Sequence, residues 1–479
     1  MKHRIGLLYL KSVVLLLAAF NFIALLPPAT DAASLPLPDK LVYPPLQFDL
    51  PHARRTVLAN GIVLYLLENH ELPLVNINAL IKTGTMHDPE GKEGVAELTA
   101  YLMKTGGTKK MSSAELDQHF DFLAASPSIS TVADFTQISL ALLKKDIDQG
   151  IDLLAQMMIT PAFEQNKFVL AKGLKNEELR RIKDDPQKLA IREFNRLIHH
   201  GSPYGRFASQ PSLKNIDRGD LVEFHQEFFH PQNVMIAISG DITFEDALNT
   251  ISRCFGSWES RSNSARSVFP PQNSRTGLFY INKEISQSTI ITGQPAPGKS
   301  SPDFHAFTVL DFIVGSGGFP SRIFSAVRNN EGLAYSAGSF YRARPDQGVF
   351  AAYAFTKTES TFQTLSLIDS ILESVHAGMI KDDEIAWAKM SINNGFIFSF
   401  TSAQQIAWQQ MKAEYDMLPT DFFVTYRSKI EKIQKEDLQR TAAKYLDRKN
   451  NITLILGDIK NFGSAKSNYG EPVRIAPLD

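Results

Sequence analysis

The chain is nearly devoid of cysteine: Cys254 is the only one in 479 residues. A single thiol excludes an intramolecular disulfide and a cysteine-rich zinc site. An excess of charge is missing too. Fifty Lys and Arg stand against 51 Asp and Glu, for a net charge of −1. No global basic field recruits nucleic acid, which is not an expected partner. None of the eleven histidines falls in an HExxH or HxxEH pattern. Beyond the first thirty-odd residues no run approaches the ~18 apolar residues of a spanning helix, so no integral membrane segment is expected in the mature chain. What remains is the composition of a globular protein, 43% hydrophobic and 21% charged. Disorder and a coiled-coil rod are excluded as whole-chain readings, and the length suits roughly two to four domains.

The N-terminus reads as an address. Lys2, His3 and Arg4 precede the apolar run Val13–Leu26, and small residues follow up to Ala32 and Ala33. The run is too short to span a bilayer comfortably and suits the core of a signal peptide. Residues 1–32 are expected to be that signal, with an uncleaved anchor as the alternative. No cysteine stands at the cleavage region to carry a lipid.

The chain also repeats itself. Ile216–Ile242 and Ile433–Ile459 match position for position without a gap, with eight of 27 positions identical. Among them are Asp220/Asp437, Asn233/Asn450 and the Gly240-Asp241/Gly457-Asp458 turns. Each copy reads as an Asp-capped amphipathic helix, an Asn turn, a buried strand and a Gly-Asp turn. Copies this far apart in the chain signal two homologous domains rather than a solenoid. The expected boundaries are 45–256 and 276–470, joined by a polar linker over 257–275. Strands are expected over 62–67, 75–81, 131–143, 276–282 and 287–292. Helices are expected over 94–105, 114–124, 146–158 and 165–183, with a long helical pattern over 382–415 interrupted near Gly395. The fold class is therefore α+β, two mixed α/β domains that each pack helices on a mostly antiparallel sheet.

Three blocks carry a family resemblance. GVAELTAYLMKTGGT (94–108), HHGSPYGRFASQPSLKNIDRGDLVEFHQEFFHPQNVMIAISGDI (199–242) and RNNEGLAYSAGSFY (328–341) resemble the pitrilysin/insulinase-type zinc metallopeptidases. Those enzymes carry HxxEH on a helix. Two His on one face ligate zinc, and the Glu between them is the general base. Aligned on Gly94-Val95-Ala96, this chain has Glu97, Ala100 and Tyr101 at those places. The family's third ligand, a Glu, follows the second His at a spacing that, counted from Tyr101, falls on Glu178. Ala100 cannot take a proton, and a phenol, with an ordinary pKa of about 10, is a poor ligand at neutral pH. The resemblance thus implies degenerate zinc-motif positions at Glu97, Ala100, Tyr101 and Glu178, and no metal in this chain. The third block keeps an Arg and a Tyr seven apart, Arg328 and Tyr335. In the enzymes this pair reaches over the zinc site to hold the substrate carbonyl. A guanidinium and a phenol suit that task as donors to a developing oxyanion. On local pattern alone, Arg328 pairs with Glu331 and Tyr335 packs at a strand start.

One subgroup of the family works as two similar chains that enclose a chamber, one with the zinc motif and one with the Arg/Tyr loop. The resemblance implies the second partner: a non-catalytic subunit of an exported heteromeric peptidase, forming half of a chamber. Zinc and peptide cleavage would reside with a homologous zinc-bearing subunit, with Arg328 and Tyr335 acting in trans on peptide substrates. The expected compartment is the Gram-negative periplasm, or the exterior. The alternative is a peptidase-derived binding or scaffold protein with no part in proteolysis.

Overall fold

Period-two alternation and β-branched residues drive the strands, and they sort into two six-stranded sheets. The first holds Arg54–Val57 (β1), Val63–Glu68 (β2), Leu74–Ile81 (β3), Ser128–Thr131 (β4), Thr136–Leu143 (β5) and Val234–Gly240 (β6), in the order β1-β2-β6-β3-β5-β4. The second holds Gly277–Asn282 (β7), Gln287–Pro297 (β8), Ala334–Ala343 (β9), Gln347–Lys357 (β10), Ile452–Gly457 (β11) and Val473–Arg474 (β12), in the order β12-β7-β11-β8-β10-β9. The computed structural model describes residues 49–260, 275–462 and 472–478. The signal expected over 1–32, most of the linker expected over 257–275 and the expected end of the second domain at 470 lie outside them.

Pairing is antiparallel except for β2–β6 in the first sheet and β7–β11 and β7–β12 in the second. The runs β2-β6-β3-β5-β4 and β7-β11-β8-β10-β9 occupy equivalent places, so the sequence repeat is a repeat of topology. Both sheets carry helices, as an α+β fold requires. Six helices bear on the site: Val95–Thr105 (α1), Gln165–Ile182 (α2), Pro186–Ile198 (α3), Arg218–Phe228 (α4), Ala403–Tyr415 (α5) and Lys435–Tyr445 (α6). The aspartates shared by the two repeats sit inside the first turn of α4 and α6 rather than at the caps. Asp220 accepts from the Asp217 amide at 2.8 Å and Asp437 from the Gln434 amide at 3.1 Å, each closing a capping box. The strand expected over 131–143 is a hairpin instead. Val132 N–H donates to Phe135 O at 3.0 Å, turning the chain between β4 and β5.

One face of the first sheet packs on helices of its own half, with Leu64, Ile77 and Ile236 against Leu98, Leu102 and Phe224. The opposite face is covered from far along the chain. Val63, Tyr65, Leu80, Met235 and Ala237 pack on Ala407 and Met411 of α5. The reverse holds for the second sheet, where Phe279, Ile291, Ala351 and Leu454 pack on Leu189, Phe194 and Leu197 of α3. Each half therefore lends the other a helix. The loan is pinned by polar contacts: Glu414 of α5 accepts from Arg55 at 2.6 and 2.7 Å, and Tyr415 donates to Asp134 O at 2.7 Å. The region from Leu50 onward is one compact unit.

This exchange makes the halves hard to separate. Limited proteolysis within 257–275 is expected to give two bands on a denaturing gel that co-elute as one particle in native size exclusion. Phe194→Ala, emptying a side chain that is 1% exposed, is expected to cost about 3–5 kcal/mol, and Met411→Ala about 2–5 kcal/mol, in denaturant titration. Fragments that part without denaturant would refute the interlock.

Candidate functional site

Helix α1 starts at Gly94, whose φ of +115° suits a residue without Cβ. Asp88 braces this start, accepting from the Gly94 and Ala96 amides at 2.8 and 2.7 Å. Burial pushes the Asp88 carboxyl up to about 7, against the pull of those two donors. One turn on, α1 presents Glu97, Ala100 and Tyr101 toward α2, which carries Glu178. All four line one cleft of about 260 Å³, so the structure brings together the four positions that the family alignment singles out. Ala100 is buried and Tyr101 is 44% exposed.

A fifth residue, missed in the sequence, governs the cleft. Lys175, one turn before Glu178 on α2, places its ammonium 3.0 Å from Glu97 Oε2 and 3.1 Å from Glu178 Oε1. Burial pulls the Lys175 pKa down, but the charges of and hydrogen bonds to Glu97 and Glu178 outweigh it and leave the pKa raised. The signal was available: Lys175 and Glu178 are three apart on a helix already read as such, the spacing of an ion pair.

These residues do not fit a zinc ion. Zinc takes N, S or O donors at about 2.0–2.3 Å. Here the two carboxylates already embrace a resident cation, Ala100 supplies no base, and the alignment offers no histidine. Among the described residues no group of three His, Cys, Asp or Glu side chains is disposed to hold a metal.

Arg328 and Tyr335 come together elsewhere. The Arg328 guanidinium lies 4.5 Å from the centre of the Tyr335 ring, and 4.9 and 5.4 Å from those of Phe324 and Phe319. Arg328 does not pair with Glu331; among the described residues it forms no ion pair. Gly332, at φ +61°, turns the chain between them. Tyr335 sits near the start of β9, the edge of the second sheet. There Phe355 pairs with Ser336 and Thr356 with Ala334, so Tyr335 is the extra residue of a β-bulge. A bulge re-aims a side chain, and Tyr335 is 81% exposed instead of packing at the strand start. The clefts that Glu97 and Glu178 line do not reach Arg328 or Tyr335.

Two tandem α+β halves, each a six-stranded sheet packed with helices, are the fold of a peptidase-derived protein. The chain belongs to the insulinase family, peptidase family M16. Residues 64–211 match the insulinase (peptidase family M16) model and residues 215–392 the peptidase M16 inactive domain model. It is 24% identical to an uncharacterised zinc protease of Rickettsia bellii, over 70% of this chain and 81% of that one. It is 22% identical to an uncharacterised zinc protease of Bacillus subtilis, over 73% and 85%. Its fold is similar to a peptidase M16 inactive domain from Pseudomonas fluorescens, with a TM-score of 0.78 at 23% identity over 85% of this chain and 98% of that one. A protease from Helicobacter pylori superposes with a TM-score of 0.78 at 20% identity, over 85% and 100%.

The Lys175 ammonium sets a specific expectation for metal. The triple change Glu97→His, Ala100→Glu and Tyr101→His, which writes the family motif into α1, is expected to bind zinc poorly while Lys175 remains. Adding Lys175→Ala is expected to tighten zinc by roughly tenfold to a thousandfold, the span one charge within ~4–6 Å exerts on a proton site. Equilibrium dialysis reads both. Equal zinc affinity with and without Lys175 would remove the ammonium as the obstacle.

Proposed function

We propose that this chain is the non-catalytic subunit of an exported heteromeric zinc metallopeptidase. A homologous partner carries the zinc motif and zinc. This chain contributes Arg328 and Tyr335 to the partner's active site and half of the chamber that encloses peptide substrates. The observation that carries the reading is the contrast between the two sites: Lys175 fills the degenerate motif, whereas a bulge turns Tyr335 outward beside an Arg328 that no carboxylate neutralises. A phenol and a guanidinium presented together on an exposed edge are donors without an internal acceptor. A peptide carbonyl that becomes an oxyanion supplies one. The proposal places the mature protein outside the cytoplasm, in the periplasm of a Gram-negative cell.

The test is turnover of the mixed subunits. Arg328→Ala and Tyr335→Phe are expected to stay folded and bound to the zinc-bearing partner, and to lower saturated peptidase turnover by ~10²–10³, the usual loss of one oxyanion donor. Titration to saturation separates lost affinity, where excess subunit restores turnover, from lost chemistry, where a low plateau persists. Wild-type plateaus for both variants would favour a scaffold with no part in proteolysis.

A further inference from the structure

Four arginines from both halves converge on the groove between them. Arg192 lies on α3 and Arg206 on the segment after it. Arg342 is near the end of β9, and Arg344 follows that strand. All four line a cleft of about 460 Å³. It continues past Arg342 and Arg344 into a second cleft of about 580 Å³, walled by Phe340 and Tyr341 of β9. Among the described residues none of the four is in an ion pair. Instead they rest on carbonyls and rings. Arg206 donates to Met86 O at 2.8 Å and Arg192 to Ala208 O, while Arg344 lies 4.1 Å over the Tyr204 ring and Arg342 4.9 Å over Phe340. The Nε atoms of Arg192 and Arg206 are buried without an acceptor.

The carboxylates of the groove answer this charge only from a distance: Glu97 and Glu178 act on Arg192, and Asp88 on Arg206, without forming an ion pair. Glu97 and Glu178 are held by Lys175. Asp88 spends both oxygens on the α1 amides, and burial raises its pKa to about 7. Asp311, on the far wall, accepts from Ser339 at 2.6 Å, and burial raises its pKa to about 6. Lys188 also lines the groove, 3.4 Å from Asp185. A partly buried guanidinium with open donors is costly unless an anion completes it, and its planar fork matches a carboxylate.

We propose that this groove binds an extended acidic peptide, with Arg192, Arg206, Arg342 and Arg344 receiving its carboxylates. The choice of a peptide over a polyphosphate or nucleic acid rests on β9. Its outer edge is unpaired within the sheet, and so offers main-chain donors and acceptors to an added strand. Arg342 and Arg344 are two residues apart, so they recur at roughly 7 Å, the repeat of alternate side chains on an extended chain. The inference rests on the peptide-handling reading above for the nature of its ligand and adds the charge that ligand carries.

The experiment uses this chain alone, without a zinc-bearing partner. A fluorescein-labelled peptide about eight residues long, close to a typical strand, with Glu at alternate positions, is followed by anisotropy. The Glu peptide is expected to bind, and to weaken as salt rises. Its Gln and Lys counterparts are expected to bind at least roughly tenfold more weakly. The double variant Arg342→Gln/Arg344→Gln removes guanidiniums that carry no backbone hydrogen bond, so its melting temperature should hold while Glu-peptide affinity falls roughly tenfold or more. Arg342→Lys/Arg344→Lys should restore part of it. Equal binding of the Glu and Gln peptides, or undiminished binding by the folded Gln variant, would overturn the proposal. So would displacement of the peptide by inorganic polyphosphate or single-stranded DNA at far lower concentration than by unlabelled peptide, because the ligand would then be another kind of polyanion. Glu-peptide binding by a chain that fails to raise a partner's turnover would keep the groove and defeat the subunit reading. Partner activation without Glu-peptide binding would do the reverse.

Discussion

A six-stranded sheet has two faces, and each sheet here receives helices of its own half on only one of them. The second face of the first sheet, with Tyr65, Leu80 and Met235, is apolar and would meet water if α5 were absent. The second face of the other sheet, with Ile291, Ala351 and Leu454, depends in the same way on α3. This mutual requirement explains why β6 and β11 are buried along their whole length on both faces. It also places α3 against β8 and β11, at the border between the halves, where its outward residues wall the groove. Arg192, on the loaned helix, therefore meets Arg342 and Arg344 from the sheet that helix covers.

Much of this architecture is legible in the sequence, and the illegible part has a physical reason. The offset that relates Ile216–Ile242 to Ile433–Ile459 also relates the exchanged helices, since Pro186 and Ala403 open them. Leu189, Ala190 and Phe194 correspond to Ile406, Ala407 and Met411, and all six are buried. The pattern shows that each helix has an apolar face and leaves open which sheet will cover it. The hairpin over 128–143 was hidden because alternation continues through its turn at Ala133-Asp134. The bulge at Tyr335 was hidden because one extra residue in an edge strand changes pairing and leaves composition untouched.

The candidate site divides along the same line. Glu97, Ala100, Tyr101 and Glu178 were singled out by the family resemblance, and they do share a cleft. Lys175 was overlooked because a Lys and a Glu three apart are commonplace on solvated helix faces. Only the approach of α1 to α2 turns that pair into a charge triad. The groove arginines are harder still. They are scattered from Arg192 to Arg344 in a chain with no net charge to speak of, so no window of sequence registers them as a basic patch. The first half thus holds a cation where its relatives' name speaks of zinc, while the second presents Arg328, Arg342 and Arg344 against aromatic rings, with no carboxylate in an ion pair among the described residues.

The loan of helices also imposes an order on folding. Gln410 of α5 donates to Pro51 O across 359 residues of chain, and Tyr65 of β2 donates to Glu414 of α5 across 349 residues. At ~5–20 residues per second, synthesis of such an interval takes about 17–70 s. Once β6 ends at Gly240 the first sheet can collapse on α1 and α4, but its second apolar face has no partner until α5 is made. Contacts this distant in sequence form slowly, and an apolar sheet face left open in the meantime invites self-association. The nascent first half, rather than the finished molecule, is the species most prone to aggregate.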